Sequence, residues 1–327
     1  MSNKEKVVFL GPKGTYSHQA ALQQFPDDSK YELIPVTTIP TCFENLLYDD
    51  NISYCIVPLE NSTNGQVVFT YDLIRDVLKQ DQLEEEILKN DDKYQNRINP
   101  PITIVGEQYV KIDHCLVVAD EEIASKHDTN KYVNLYSHPQ VWGQVTNYLN
   151  TTLKGKYQNR IDCKSTSEAM IKCKEDAANG IQSLAIGSIT GSKMNDCCVI
   201  EKGINDLKGN TTRFLTFSKK NRLLEIPVNP EDASKDNNMT LLTFTTLKDG
   251  PGSLVEVLNI FQRYNINMTS ISSRPIGVTG KWQYIFYVEY EFDHKLPWKE
   301  EILSEIDSNC LTWAMWGVFP RDNGYYS

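Results

Sequence analysis

The sequence has no excess of positive charge. Its 327 residues include 33 Lys and Arg against 43 Asp and Glu, so the formal net charge is −10 at pH 7. An acidic surface repels the phosphates of nucleic acids and the headgroups of anionic lipids, and we expect neither as a partner. This charge still allows an anionic substrate, because a pocket can be basic on an acidic protein.

Cysteine clusters and long apolar runs are also absent. The eight Cys are scattered, with only Cys197 and Cys198 adjacent, and they give no Cys-x-x-Cys pair and no Cys/His group with zinc-ligand spacing. No stretch approaches the roughly 20 apolar residues of a membrane span. The apolar run 7–10 near the start is too short for a signal peptide. We therefore expect a cytoplasmic protein with free thiols and no metal, in which the membrane is no partner.

Short apolar runs alternate with helical segments through the first two thirds of the chain. This alternation predicts an α/β unit with mostly parallel strands. Ser165 and Glu168 have the spacing of a capping box that opens a helix. The predicted strands span 7–10, 55–58, 102–106, 115–119, 133–136, 184–187 and 213–217, and the predicted helices span 17–25, 141–149 and 168–178.

Two segments interrupt this pattern. Residues 79–101 are rich in Asp, Glu, Asn and Gln, which is typical of an exposed insertion without chemistry. Residues 221–238 hold Pro227, Pro230 and several acidic residues without apolar periodicity, which indicates an interdomain linker. We therefore predict one domain at 1–220 and a further domain at 239–320.

Beyond the linker the pattern changes to strand, helix, strand, strand, helix, strand. This order is that of the ferredoxin-like split βαββαβ unit. The predicted strands are 239–247, 268–273, 283–290 and 311–318, and the predicted helices are 253–264 and 298–306.

A glycine-rich segment lies between the first predicted strand and the first predicted helix. Gly11 and Gly14 allow close backbone approach, and the N–H groups at the start of the helix favour an anion. The Gly-Lys-Ser/Thr ending of a P-loop is missing. The segment is either an anion site that uses Gly14 and Thr15 or a tight turn closed by a Ser or Thr cap, and the sequence leaves both interpretations open.

A polar cluster follows the strand at 55–58. Glu60, Asn61 and Ser62 lie at its carboxyl end, where ligands of open α/β sheets bind. Glu60 is either an acid with a raised pKa or a group that orients its neighbours, and we favour the orienting role.

A second polar cluster follows the strand at 133–136. Ser137 comes directly after this strand, and Gln144 lies about two helical turns further on. His138 is a candidate base, but no Ser-His-Asp arrangement can be assembled from the sequence. A His that precedes Pro is typical of a turn, and we favour that interpretation.

A third cluster is Asn210-Thr211-Thr212-Arg213-Phe214. An Arg at the start of a strand is suited to a bidentate contact with a carboxylate. Thr212 beside it offers a hydroxyl with a stiff rotamer, because its side chain is β-branched. Taken alone, the segment also fits a strand edge with an exposed Arg.

The C-terminal domain has its own candidate site. Gly252, Ser253 and Leu254 begin a predicted helix, whose first N–H groups can hold a small carboxylate. Asn267 and the segment Ser272-Ser273-Arg274-Pro275 lie at the next predicted strand and can complete such a site.

The order and spacing of these segments resemble those of prephenate dehydratase over nearly the whole chain. The C-terminal part is similar to an ACT domain, because Gly252-Ser253-Leu254-Val255 resembles a Gly-Ala-Leu-Val signature and Ser272-Ser273-Arg274-Pro275 resembles a Glu-Ser-Arg-Pro signature. The segments that match prephenate dehydratase are 11–21, 57–67, 137–144, 165–169, 185–188 and 210–214.

The resemblance implies that residues 1–220 form an α/β catalytic unit of two lobes, similar to periplasmic binding proteins, with the second lobe at about 107–190 and the active site in the cleft. A ferredoxin-like ACT domain follows it. The implied reaction converts prephenate to phenylpyruvate, carbon dioxide and water in phenylalanine biosynthesis, without a metal or organic cofactor. The resemblance also implies feedback inhibition by L-phenylalanine bound between the ACT domains of a homodimer or homotetramer.

The same resemblance suggests roles for individual residues. Thr212 donates a hydrogen bond or a proton to the leaving hydroxyl group, and Arg213 either grips the pyruvyl carboxylate of prephenate or braces the loop. The other expected substrate contacts are Asn61, Ser62, Ser137, Gln144, Thr15, Gly14, Glu60, Asn210 and Phe214. The expected phenylalanine-binding residues are Gly252, Ser253, Leu254, Asn267, Ser273, Arg274 and Pro275.

Three questions stay open at the level of the sequence. Arogenate dehydratase performs the same elimination on a substrate that has an amino group in place of the keto group. A non-catalytic solute-binding protein that senses an amino acid could share the fold. The signature changes at Ser253 and Ser272 alter either effector recognition or a structural contact.

Overall fold

The computed structural model describes residues 4–81, 94–127, 131–219, 238–276 and 283–322. The chain divides into two compact units. The first unit comprises residues 1–42, 56–66 and 108–214, and the second comprises residues 43–55, 67–107 and 215–327. The predicted linker lies outside the described residues except for Asn238, and the predicted domain limits remain predictions.

Fifteen strands are found in the described part of the chain. They are β1 (Glu5–Leu10), β2 (Tyr31–Val36), β3 (Ile52–Asn61), β4 (Gly65–Gln66), β5 (Thr103–Lys111), β6 (Cys115–Val118), β7 (Tyr132–Ser137), β8 (Tyr157–Asp162), β9 (Ser183–Gly187), β10 (Cys198–Lys202), β11 (Thr211–Ser218), β12 (Asn238–Thr246), β13 (Met268–Pro275), β14 (Tyr284–Glu291) and β15 (Cys310–Pro320).

Ten α-helices accompany these strands in the described part of the chain, and a π-helical turn at Trp298–Ile302 leads into the last of them. No helix among the described residues is both long and apolar enough to cross a membrane. The helices are α1 (Tyr16–Gln24), α2 (Ile39–Tyr48), α3 (Val68–Asp81), α4 (Glu121–Ser125), α5 (Pro139–Trp142), α6 (Thr146–Asn150), α7 (Thr166–Ala178), α8 (Ile189–Met194), α9 (Ser253–Arg263) and α10 (Leu303–Asn309).

Strands β1 to β11 form two sheets. One has the strand order β2-β1-β3-β11-β5 with β4 beside β3, and the other has the order β10-β6-β9-β7-β8. The expectation of mostly parallel strands was wrong in part, because β6 pairs antiparallel with both β9 and β10. Parallel pairing holds for β1 with β2 and for β7 with β8 and β9. The second sheet includes Cys198–Lys202, which lies beyond the predicted limit of the second lobe.

Apolar strands build the core of the second sheet. All four residues of β6 and all five of β9 are buried, and they pack with Met170 and Cys173 of α7. The predicted cap of this helix is confirmed, because Ser165 Oγ accepts a hydrogen bond from Glu168 N at 3.0 Å. The helix predicted at 141–149 is instead two short helices, α5 and α6, separated by Gly143, Gln144 and Val145.

The ferredoxin-like order predicted for the C-terminal segment is confirmed. Its sheet has the order β13-β14-β12-β15, and β12 pairs antiparallel with both β14 and β15. Helix α9 has one apolar face, and its buried residues Val257, Ile260 and Phe261 join the core beneath the sheet. The core also contains Trp298 and Trp313, which are both buried.

The prediction of an exposed insertion at 79–101 was wrong at its C-terminal end. Tyr94 is buried in the core of the second unit, and its hydroxyl donates to Lys299 O at 2.9 Å. Arg97 forms a parallel bridge with Trp313, and its guanidinium lies over the indole ring. The polar composition of residues 79–101 did not indicate these contacts, because the C-terminal end of the segment is held by hydrogen bonds and by a cation–π contact.

Candidate active site

Asn61 is the centre of a hydrogen-bond cluster in the first unit. It ends β3, and its Nδ2 donates to Asn210 Oδ1 at 2.7 Å and to Thr212 Oγ1 at 2.9 Å. The amide thereby joins the end of one strand to the start of β11. Because the Thr212 oxygen accepts this bond, its own O–H proton is directed to another acceptor.

Backbone contacts fix the same junction. Ser62 N donates to Thr211 O at 2.8 Å, and Thr211 N donates to Ser62 Oγ at 2.9 Å. Asn61 Oδ1 accepts from the backbone N–H groups of Thr63 and Asn64, each at 2.9 Å. This Asx-type turn explains why the sequence carries short polar residues here. The Ser62 oxygen therefore has a structural partner, although its proton remains a donor.

Glu60 and Arg213 form an ion pair. Arg213 Nη1 lies 3.0 Å from Glu60 Oε1, and the guanidinium also lies over the ring of Tyr109. The Arg213 side chain is 6% exposed and that of Glu60 is 36% exposed. This geometry favours the bracing role over the grip for Arg213 and the orienting role for Glu60.

His114 is a site residue that the sequence prediction missed. It is buried between β5 and β6, with its Nε2 2.6 Å from Gln144 Oε1 and its Nδ1 3.1 Å from the Tyr16 hydroxyl. Burial lowers its pKa from 6.5, although the hydrogen bond to Gln144 acts in the opposite direction, and the lowered pKa favours the neutral ring at pH 7. No sequence pattern marked it, because it sits alone in a short connection. The predicted site residue Gln144 is held by this ring.

The segment that follows β5 links the hydrogen bonds of His114 to those of Asn61. Ile112 N, two residues before His114, donates to the carbonyl of Asn210 at 2.7 Å. Asn210 in turn accepts the Asn61 amide. Amide and hydroxyl groups thus occur together in one part of the first unit, where they can offer hydrogen bonds to an anion.

Two predicted substrate contacts have other partners. Ser137 is fully buried, and its hydroxyl donates to Ile186 O at 2.8 Å, which favours a role in holding β7 beside β9. Phe214 is buried with Phe9 and Ile56 in the core of the first sheet, which favours a packing role over substrate binding. Its side chain alternates with that of Arg213 along β11, which places it on the opposite face of the strand.

The glycine-rich segment is a tight turn with a Thr cap. Thr15 caps α1 by accepting from His18 N, and Gly14 N donates to His18 Nδ1 at 3.1 Å. Gly14 has φ +87°, and a Cβ there would lie 3.0 Å from Gly191 Cα. Two hydroxyl groups hold the turn, since Ser188 Oγ donates to Gly14 O and Ser167 Oγ to Lys13 O. The backbone at Gly14 therefore approaches another part of the protein closely.

His138 occupies a turn, as the sequence favoured. It caps α5, and its Nδ1 accepts from Gln140 N at 3.3 Å. Burial lowers its pKa from 6.5, although Asp162 acts in the opposite direction. Its bond to the start of a helix supports a capping role.

The predicted effector residues begin at the turn before α9. Gly252 has φ +89°, which favours glycine, and it precedes the helix without a side-chain cap. Ser253 Oγ donates to Gly250 O at 3.0 Å, and Leu254 packs against the core. Asn267 accepts at its carbonyl from Glu291 N.

The other predicted effector residues contact α3 within the second unit. Arg274 binds Asp72 with two hydrogen bonds, from Nε at 2.9 Å and from Nη2 at 3.1 Å. Arg75 Nη1 donates to Pro275 O at 2.8 Å. Ser273 directly precedes Arg274, and it pairs with Phe286 on the neighbouring strand β14. The Arg274 guanidinium is thus committed to a carboxylate of the protein, which sequence reasoning could not foresee at a separation of 202 residues.

The fold and the site together define a class. Two α/β sheets of the type found in periplasmic binding proteins carry the polar cluster, and a ferredoxin-like regulatory domain of the ACT type follows. The family model of prephenate dehydratase matches residues 7–222, and that of the ACT domain matches residues 240–296. The chain belongs to the prephenate dehydratase family and is therefore a hydro-lyase.

Curated relatives agree with this assignment. A protein of Saccharomyces cerevisiae described as a probable prephenate dehydratase is 43% identical over 98% of both chains. The prephenate dehydratase of Methanocaldococcus jannaschii is 30% identical over 96% of this chain and 97% of its own length.

Solved structures share the fold. The prephenate dehydratase of Arthrobacter aurescens, in complex with L-Phe, has a TM-score of 0.72 and 22% identity, and covers 97% of this chain and 90% of its own. A quorum-quenching acylase named GqqA has a TM-score of 0.73 and 20% identity, and covers 99% of this chain and 100% of its own. At these identities the likeness shows the fold alone.

Proposed function

We propose that this chain converts prephenate to phenylpyruvate, carbon dioxide and water in the biosynthesis of phenylalanine. The observation that carries the proposal is the hydrogen bond from Asn61 Nδ2 to Thr212 Oγ1, which leaves the hydroxyl proton of Thr212 to donate. The reaction needs a donor for a departing oxygen, and family membership supports the same chemistry.

The elimination can be followed bond by bond. The bond between the ring and its carboxylate breaks, and its electron pair enters the ring as carbon dioxide leaves. The bond from the ring to the hydroxyl group breaks at the opposite carbon, and the departing oxygen, stabilised by a hydrogen bond, takes a proton from the solvent to become water. Aromatisation of the ring supplies the driving force, so the protein has to hold a dianion and stabilise the departing oxygen.

Different residues of the site contribute to different parts of this reaction. Thr212 donates to the departing oxygen, and Asn61 orients and polarises the Thr212 hydroxyl. Gln144 and Ser62 offer further donors to the substrate. Glu60 and Arg213 brace the strand that carries Thr212, because their ion pair joins β3 to β11.

One assay tests the reaction. Purified protein is mixed with prephenate, and phenylpyruvate is measured by its absorbance in alkali. Turnover supports the proposal, whereas a protein that binds prephenate without turnover would be the non-catalytic solute-binding alternative. Parallel turnover of arogenate decides between the two dehydratases, and we expect prephenate to have the higher kcat/KM.

We also infer that L-phenylalanine inhibits the enzyme through the ACT domain. The domain's family match supports this, as does the L-Phe bound to the relative from Arthrobacter aurescens. We place the effector against Gly252, Ser253, Leu254, Asn267 and Ser273, with Arg274 and Pro275 as links to α3. Titration of phenylalanine should lower activity and raise the melting temperature. No change in either at millimolar effector would contradict the inference.

We propose a homodimer or homotetramer formed through the ACT domains. Strand β13 lies at the edge of its sheet, and Ile271 on it is 50% exposed. Met268 on the same strand and Val255 on α9 are also exposed apolar residues. Exposed apolar side chains on an edge strand favour pairing with a second chain. Light scattering after size exclusion should give at least twice the monomer mass, and we expect the assembly in the cytoplasm.

A further inference from the structure

His114 is fixed on both sides by one short loop. His114 N donates to Asn205 Oδ1 at 2.7 Å, and Ile204 N donates to His114 O at 3.1 Å. The same loop holds the residue that His114 contacts, because Asp206 N donates to Gln144 O at 2.8 Å. The backbones of His114 and Gln144 therefore keep a fixed separation. The direction of the hydrogen bond between their side chains can still vary.

The contact between the two side chains has a direction. Gln144 Oε1 lies 2.6 Å from His114 Nε2, and an amide oxygen is an acceptor. The His114 Nε2 atom must then carry the proton. In a neutral ring the Nδ1 atom is then bare and needs a donor.

Tyr16 can supply that donor. Its hydroxyl oxygen lies 3.1 Å from His114 Nδ1 and 3.0 Å from Asp113 O, so its single proton can serve either acceptor. When the proton goes to Nδ1, Nε2 keeps its hydrogen and Gln144 presents its oxygen to His114. When it goes to Asp113 O, Nδ1 must carry the hydrogen, and the amide of Gln144 must turn its nitrogen towards Nε2.

We infer that Tyr16 and His114 are positioning residues that set the orientation of the Gln144 amide. With Oε1 held by the imidazole, the side chain presents its N–H groups to the substrate. Prephenate carries two carboxylates, which accept hydrogen bonds and repel an amide oxygen. The Tyr16–His114 pair thereby selects the donor face of Gln144, and this inference rests on the proposed role of Gln144 as a substrate contact.

Nitrogen NMR of the 15N-histidine-labelled protein tests the tautomer directly. The chain has five His, and the spectrum of His114→Gln assigns the resonance that disappears. We expect a neutral ring protonated at Nε2 in the wild-type protein and a shift towards the Nδ1–H form in Tyr16→Phe. A wild-type ring protonated at Nδ1 would overturn the inference, whatever the activity of the protein.

A double-mutant cycle tests the effect on catalysis. We expect kcat/KM for prephenate to fall about tenfold in Tyr16→Phe, which corresponds to one hydrogen bond, and further in Gln144→Leu. The double variant should be no worse than Gln144→Leu alone, because Tyr16 acts only through Gln144. Losses that multiply in the double variant would contradict the inference. Full activity of Gln144→Leu would instead contradict the proposed role of Gln144.

The chain offers a matched control for the loss of a tyrosine hydroxyl. Tyr132 OH lies 2.9 Å from His127 Nδ1, in a second His–Tyr pair of the first unit. Tyr132→Phe should leave kcat/KM within about twofold of the wild-type value, since neither residue contacts Gln144 in the described hydrogen bonds. A loss equal to that of Tyr16→Phe would mean that removal of any such hydroxyl lowers activity, and would contradict a specific role for Tyr16.

Discussion

Asn61 donates a hydrogen bond of 2.9 Å to the hydroxyl oxygen of Thr212, across a sequence separation of 151 residues. The direction of this bond matters, since an amide nitrogen cannot accept. The Thr212 oxygen is the acceptor, and its proton is left to donate to another acceptor. A hydroxyl that accepts one bond also becomes a better donor in the next.

Removal of the Thr212 hydroxyl should therefore cost catalysis more than folding. Thr212→Val keeps the shape of the side chain, and we expect kcat to fall by about 10²–10³-fold, as for the loss of one donor to a developing oxyanion. Thr212→Ser keeps the hydroxyl and should retain most activity. Initial rates of phenylpyruvate formation measure both variants, with circular dichroism as the folding control. Wild-type turnover in a folded Thr212→Val protein would contradict the role of Thr212.

The Glu60–Arg213 pair should contribute to both stability and rate. Glu60→Gln leaves a buried guanidinium without its carboxylate, and we expect the free energy of unfolding to fall by about 1–3 kcal/mol. The value of kcat should fall with it, because the brace holds the strand that carries Thr212. Urea unfolding and initial rates measure the two effects. If Arg213 instead grips the substrate, Arg213→Lys would raise KM while Glu60→Gln leaves it unchanged.

Asp176 makes the stability of the first unit depend on pH. Burial raises the pKa of this carboxyl group, but hydrogen bonds from Ser183, Asn134 and Tyr136 to Oδ2 outweigh it and hold the pKa below 3.8. A depressed pKa stabilises the folded state at any pH above the unfolded value, and this stability is lost as the pH falls through the folded value.

The matching experiment compares the wild-type protein with Asp176→Asn. Urea unfolding at pH 7 should show the variant less stable by about 1–3 kcal/mol. The difference should stay constant down to about pH 5 and shrink as the pH falls further. A difference that grows in acid would show the opposite sign and contradict the prediction.

The Asp72–Arg274 contact should stabilise the second unit. Asp72→Asn removes the charge from a bidentate pair, and we expect a loss of about 1–3 kcal/mol in the free energy of unfolding. Asp72 and Asp76 both bind Arg75 on the same helix, so Asp76→Asn, which changes the more exposed of the two, is the matched control. We expect the control to lose less than about 1 kcal/mol in urea unfolding. Equal losses would argue against a specific link through Arg274.

Much of the fold could be predicted from apolar periodicity, and three of the strands that were missed share one property. They lie at the edge of a sheet and have no fully buried residue: Tyr31–Val36, Tyr157–Asp162 and Cys198–Lys202. An edge strand has one neighbour and more solvent, so its sequence needs fewer apolar residues and gives a weak signal. The central strands β6 and β9, which are buried throughout, were predicted almost to the residue.

The site was predictable where contacts are local and not where they are distant. The Thr15 cap and the polar turn after Asn61 follow from residues a few positions apart. The partners of Arg213 and Arg274 lie 153 and 202 residues away, and no single sequence encodes such a pairing visibly. His114 was missed for the same reason, because its side-chain contacts are with Gln144 and Tyr16, which lie far from it in the sequence.

The turn at Gly14 limits which sequences this fold can accept. A Cβ on Gly191 would lie 2.9 Å from Gly14 O, and one on Gly14 would lie 3.0 Å from both Gly191 Cα and Ser167 Oγ. Neither glycine can gain a side chain unless the facing backbone withdraws. In a library that varies the two positions, we therefore expect folded variants to keep both glycines or to carry further changes elsewhere in the turn. Gly14 and Gly191 should then be kept or replaced together.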